Sequence, residues 1–182
     1  SAWDCTLEGD PLAVRMGFRY VKGLARAAAQ RLLEAREGGP FTSVKDLVDR
    51  TRLDERSLSH LAEAGALTPL DPGRRAALWA VRGAARAPET DLPVRDVEAR
   101  ATFAALDTFQ TIGWDYRPTG LSPRGHPLEP LRETLQAARL PEARDVTRLP
   151  DGRRVHYAGI VICRQRPGTA SGVVFLTMED ET

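Results

Sequence analysis

The chain has 182 residues, enough for one domain or two small ones, and 42% of them are apolar. The 26 basic residues nearly cancel the 25 acidic ones, leaving +1. A global electrostatic pull on nucleic acid is therefore excluded, and only local clusters can act. Cys5 and Cys163 have no metal-type spacing, which argues against a disulfide framework or a zinc site and suits a reducing cytoplasm. No apolar run approaches the length of a membrane span, and no signal peptide is visible.

Residues 1–13 read as an irregular lead-in, with an edge strand at Cys5–Leu7. The segment from Phe18 to Leu33 reads as two short helices joined at Lys22-Gly23-Leu24. Phe18 and Val21 give the first an apolar pair. Leu32 and Leu33 mark the second, with Ala25 and Ala29 as small contacts. Gly23 supplies the backbone freedom of a sharp reversal. This is the pattern of a helix-hairpin-helix, a motif that grips nucleic-acid backbone.

The physical basis is the start of the second helix. Its first amides have no intrahelical acceptor and, with the helix dipole behind them, suit a phosphate oxygen. Lys22, Gly23, Leu24, Ala25, Arg26 and Arg31 are the candidate backbone-binding residues. Arg15, Arg19, Lys22, Arg26, Arg31 and Arg36 stand against Glu34 alone, a local balance of +5. Such contacts position a strand and carry no base information. An αα-hairpin with a solvated basic face fits the same pattern. Ala25 also sits where a second glycine is common.

Glu37-Gly-Gly-Pro40 stops that helix. Thr42 or Ser43 caps the next, with Val44, Leu47 and Val48 as its apolar stripe. Asp54 caps another, with Leu58, Leu61 and Ala62 facing inward and Gly65 as its stop. Residues 41–67 form a second, degenerate hairpin, whose turn Thr51-Arg52-Leu53 lacks glycine. Its role as mere support for the first competes with a weaker grip on phosphate.

After a turn at Asp71-Pro72-Gly73, Arg74–Arg86 is expected helical, with Leu78, Val81 and Ala85 on one face and Trp79 beside it. Residues 14–86 make up the tandem hairpin domain. Residues 87–100, rich in proline and charge, are predicted to be a linker. A helical connector over 101–150 holds one helix from Ala101 to Ile112, ended by Gly113. A second runs from Pro127 to about Arg139.

The tail at 151–182 changes character. Arg154–Arg164 and Val173–Met178 are strand-like, joined by Gln165–Gly172. They read as the first strands of an incomplete OB-type barrel. Tyr157, Arg164 and Arg166 are candidates for contact with a single strand, against the alternative of ordinary exposed residues. The fold class expected is mainly α with a small β part.

No catalytic constellation is visible. His60, His126 and His156 are isolated. The acidic triplet Glu179-Asp180-Glu181 is a weak metal candidate, since two-metal sites need carboxylates converging from separate elements.

The order of these pieces resembles the bacterial C-family DNA polymerases, which include the replicative polymerase III alpha subunit. Tyr20-Val-Lys-Gly-Leu24 through Leu32-Leu-Glu-Ala-Arg36 looks like the family's helix-hairpin-helix. Arg56–Leu67 looks like its following helix. Asp115-Tyr-Arg-Pro-Thr-Gly-Leu-Ser122 with His126-Pro127 resembles the segment before its OB domain. Ser1–Glu8 and Arg164–Thr182 look like the error-prone branch.

The resemblance implies a C-terminal fragment of a DNA polymerase of damage-induced mutagenesis and translesion synthesis. The palm, with its Mg2+-binding aspartates, would lie in the parent protein before this piece, leaving the fragment without catalytic residues or cofactor. The fragment would hold duplex DNA behind the active site. Replicative relatives carry a Gln-x-x-Leu-Phe-type clamp-binding peptide. No match occurs between Gly83 and Phe109, a span without glutamine. Contact with the sliding clamp is then expected only indirectly, through an inactive Y-family-like partner. The alternative reading is a protein-interaction module docking that partner, with little DNA contact of its own.

Overall fold

The computed structural model describes residues 1–86, 101–169 and 171–182. The linker expected over 87–100 lies outside them. The chain forms two units, Ser1–Leu106 with Trp114–Leu121, and Asp107–Gly113 with Ser122–Thr182.

The first unit opens with an antiparallel pair, β1 (Thr6–Glu8) and β2 (Ala13–Arg15), with Thr6 opposite Arg15. The lead-in is therefore not irregular throughout. β2 was missed because three residues are too few to show a period. Phe18 N–H donates to Ala2 O (2.9 Å) and Arg19 N–H to Trp3 O (3.1 Å). Gly17 passes so close that a Cβ there would sit 2.4 Å from Trp3 O, so only glycine fits.

The first of the two predicted helices is a single 3-10 turn, Phe18–Tyr20, flanked by extended Gly17 and Val21. Val21 is already extended (φ −78°, ψ 104°), so the turn goes no further. Helix α1 spans Arg26–Glu37 and buries Ala28, Ala29 and Leu32. Ala25, expected as a core contact, is exposed instead. It is the extended N-cap residue and so falls off the helical period.

Helix α2 (Val44–Thr51) is capped by the Ser43 hydroxyl, which accepts from Asp46 N–H at 3.0 Å. Helix α3 (Glu55–Glu63) buries Leu58, Leu61 and Ala62 completely. It ends at Gly65 (φ +74°), where Ala66 N–H reaches Leu61 O and Gly65 N–H reaches Ala62 O, each at 3.0 Å. Those two bonds satisfy the last carbonyls of the helix. Helix α4 (Arg74–Arg86) turns Ala77 and Val81 inward, whereas Ala85 is exposed rather than packed. Phe18, Val21, Leu24, Leu32, Leu47, Leu58, Leu61 and Val81 belong to one buried cluster. Both hairpins and α4 thus share a core.

Helix α5 covers Thr108–Thr119, not 101–112. Asp107 caps it, its carboxylate accepting from Gln110 N–H at 2.7 Å. Gly113 does not stop it, because Gly113 is not in the left-handed region. Gly120 (φ +79°) is, and its N–H returns to Tyr116 O at 2.9 Å.

In the second unit the helix expected over Pro127–Arg139 is divided. A 3-10 turn at Glu129–Leu131 precedes α6 (Arg132–Ala137), and α7 is Ala143–Val146. Arg139 (φ +59°) breaks the path between them. Strands β3 (Ile160–Gln165) and β4 (Phe175–Glu179) pair antiparallel, Ile160 opposite Glu179, with an irregularity between Val161 and Cys163. Both start later than expected, since residues 154–159 have no ladder partner among the described residues. The fold is mainly α with a small β part, and its last hairpin is consistent with part of an OB-type fold.

Candidate nucleic-acid interface

Gly23 turns the chain at φ +81°. Lys22 N–H is held by Pro118 O (2.7 Å), and Leu24 N–H by Val21 O (3.1 Å). The amides of Gly23, Ala25, Arg26 and Ala27 have no bonded acceptor among the described residues. Ala25 is an N-cap with no side chain to supply one. The positive end of α1 therefore faces outward with open donors.

His60, on α3, packs under this turn. A Cβ on Gly23 would lie 2.6 Å from His60 Nε2, a buried atom with no bonded partner among the described residues. Gly23 is thus required twice, by its φ and by the ring. Replacing Gly23 with Ala should destabilise the unit by at least the ~1–2 kcal/mol of a left-handed residue, seen as a lower Tm. Duplex binding should fall as well. An unchanged Tm would show that the turn relaxes without cost.

The predicted cations separate on inspection. Lys22 is exposed, with its Nζ beside Gly120. Arg26 is exposed and lies over the Trp3 ring, 5.8 Å from the centroid. Both stand at the mouth of the helix. Arg31 instead makes a long 3.4 Å bond to Arg52 O in the second hairpin. Arg15 pairs with Glu8, and Arg19 with Asp4 at 2.8 Å. Counting Asp4 and Glu8 with the cluster lowers its balance from +5 to +3. Both acids lie outside the stretch that sequence reading summed.

The second hairpin is closed. Its turn residue Arg52 takes φ +46° without being glycine. The Asp54 carboxylate accepts Ser57 N–H at 2.6 Å. That backbone bond, with a further one to the Ser57 side chain, holds its pKa below the usual range. A fixed anion already occupies the place a phosphate would take, and it repels another.

In the second unit Tyr157 turns inward. Its hydroxyl is buried, and burial followed by the neighbouring Asp180 charge pushes its pKa up. This placement does not present its phenol to a strand. Arg164 and Arg166 are exposed.

The acidic triplet also has a different role. Asp180 accepts Ala143 N–H (2.7 Å), Thr182 N–H (2.9 Å), Thr182 Oγ1–H (2.8 Å) and Arg132 Nη2 (3.2 Å). Glu181 takes Arg132 through both oxygens. Glu179 lies 3.7 Å from His126 Nε2. Among the described residues no group of three or more His, Cys, Asp or Glu is placed to hold a metal. Sequence reading missed Arg132 because its partners lie nearly fifty residues away, where no local period reaches. Among the described residues no helix is long and apolar enough to cross a membrane.

Residues 1–77 match the helix-hairpin-helix motif family. Over its whole length the chain is 46% identical to an error-prone DNA polymerase of Aromatoleum aromaticum, covering 18% of that protein. It is 42% identical to one of Anaeromyxobacter dehalogenans, covering 17%, and 43% identical to one of Azoarcus sp., covering 18%. The chain thus spans less than a fifth of these relatives. By sequence the chain is similar from end to end to one stretch of these error-prone DNA polymerases.

Proposed function

We propose that this stretch is a non-catalytic DNA-binding part of an error-prone polymerase that works in damage-induced mutagenesis and translesion synthesis in the cytoplasm. Its hairpin takes one phosphate of duplex DNA on the open amides of α1, with Lys22 and Arg26 adding charge. Gly23, Leu24 and Ala25 supply the bend and the backbone. The observation that carries this reading is the contrast between the two hairpins. One helix start carries no side-chain cap, while the other is filled by Asp54. Phosphoryl-transfer chemistry and its Mg2+ are assigned to other parts of the longer protein.

Binding of this kind is independent of sequence and falls steeply with salt. Changing Lys22, Arg26 and Arg31 together to Ala should weaken duplex binding at every sequence. It should also flatten the log–log salt slope by about 2–3, roughly one for each backbone-contacting cation removed. Arg31 is expected to contribute least, because it is tied to Arg52. Fluorescence anisotropy across a salt titration reads both quantities. Parent-like binding by the triple variant would remove the hairpin from the interface.

A second reading, docking of an inactive Y-family-like partner that links the polymerase to the sliding clamp, is favoured by the internal pairing of Arg15 and Arg19. Capture of that partner at salt high enough to abolish DNA binding would select it. Arg164 and Arg166 remain proposed contacts of the second unit with a single strand.

A further inference from the structure

Helix α4 has a second face. Ala77 and Val81 fill the core and Leu78 packs partly against it, while Arg75, Trp79 and Arg82 recur at helical spacing beside Leu78 along one stripe. With Phe103 and Trp114 they line an open cleft of about 170 Å³. Trp79 is 60% exposed. Its ring lies 6.2 Å from that of Phe103, with the planes at 58°. Arg75 Nη1–H donates to Ala104 O at 3.2 Å, and Arg82 lies 3.9 Å from Glu55.

The core is complete without Trp79, so packing does not account for an exposed indole beside a second aromatic ring. The cleft is smaller than the ~300–1,000 Å³ of a drug-sized pocket and suits one planar ring system. Both residues at the ends of the stripe are arginines. The fitting occupant thus has a flat ring with negative charge on either side of it. A nucleotide within a single strand has that chemistry, its base stacking on the indole and its phosphates meeting guanidinium groups. An intact duplex hides its ring faces, so this surface takes something the hairpin does not.

We propose that the Arg75–Trp79–Arg82 stripe of α4 binds an unstacked nucleotide of a single nucleic-acid strand. The proposal stands independently of the hairpin. It is tested on the 182-residue chain by anisotropy with three labelled probes: a short oligo(dT), an abasic strand of equal length, and a duplex.

Trp79→Ala should weaken oligo(dT) binding by about 5- to 150-fold, the worth of stacking one base, with Tm and duplex affinity unchanged. Trp79→Phe should keep more of the affinity than Trp79→Ala. The abasic strand should bind the parent as weakly as oligo(dT) binds Trp79→Ala. Lys22→Ala/Arg26→Ala should lower duplex affinity and spare the Trp79-dependent part of oligo(dT) binding, so failure at one site is distinguishable from failure at the other. Equal affinity for oligo(dT) and the abasic strand would overturn the proposal, whatever Trp79→Ala does to folding. So would a Trp79-dependent affinity for an acidic aromatic peptide without one for oligo(dT).

Discussion

Replacing Asp115 with Ala is expected to destabilise the first unit by about 3–5 kcal/mol, the usual effect of removing one partner of a buried ion pair. Asp115 and Arg74 form such a pair, their side chains only 6% and 10% exposed. The guanidinium lies directly beneath Gly65, where a Cβ would come within 2.9 Å of its Nε. Arg74 is only slightly exposed, so losing the carboxylate leaves a largely buried charge, and its contact to Glu63 O at 3.5 Å is long. All three tryptophans, Trp3, Trp79 and Trp114, lie in this unit. Urea unfolding followed by tryptophan fluorescence therefore reports it selectively. The double variant Arg74→Met/Asp115→Leu should recover most of the loss, because neither charge then remains buried. A loss below about 1 kcal/mol in the single variant, the range of an exposed pair, would show the pair to be solvated.

The same substitution bears on function. Asp115 sits one turn before Pro118, whose carbonyl holds Lys22 N–H, and close in sequence to Gly120, which lies beside Lys22 Nζ. The ion pair anchors the end of α5 to the start of α4, and that end fixes the hairpin from outside. Asp115→Ala should therefore lower duplex affinity under conditions where the unit is still folded, although no atom of Asp115 lies at the helix mouth. Neither member of the pair carries the motif, yet both hold it in place.

The parts legible in the sequence were those written in local periods and caps. The hairpin at Gly23, the stops at Gly65 and Asp71-Pro72-Gly73, the cap at Asp54 and the stripe Leu58-Leu61-Ala62 all follow from spacing, whereas the choice of Ser43 over Thr42 as a cap needed the structure. Errors arose where one residue type has two uses. Gly113 reads as a stop but is an ordinary helical position, and only its φ tells it from Gly120. Ala25 reads as a core contact but is an N-cap. Contacts over long separations were invisible: Arg74 with Asp115, Arg132 with Asp180 and Glu181, and Lys22 with Pro118. The local charge of +5 was also too generous, because Asp4 and Glu8 come in from outside the summed stretch. What decides the candidate site is a negative feature, the absence of a capping side chain at Ala25. Sequence shows that alanine, but its meaning appears only beside the filled cap at Asp54.

The second unit should lose stability on acidification, and Arg132 should set the direction of that dependence. Bidentate bonding to Arg132 holds the Glu181 pKa below its usual value against the opposing effect of burial. Burial alone would raise Asp180. The hydroxyl and amide of Thr182, the amide of Ala143 and the Arg132 charge together bring it below the ordinary value. With folded values depressed, the unfolded chain binds more protons as pH falls through about 4, so stability present at neutral pH is lost there. The protection factors of the Ala143 and Thr182 amides, both donors to Asp180, report this directly. Arg132→Met keeps an apolar stem but removes the charge. At neutral pH it should cost about 3–5 kcal/mol, since a fully buried carboxylate and its neighbour are left facing each other. That repulsion favours protonation in the folded state, so the acid dependence of the variant should flatten or reverse. Parallel pH profiles for parent and variant would mean that Arg132 does not govern the titration of the two acids, and that the backbone and hydroxyl bonds to Asp180 suffice.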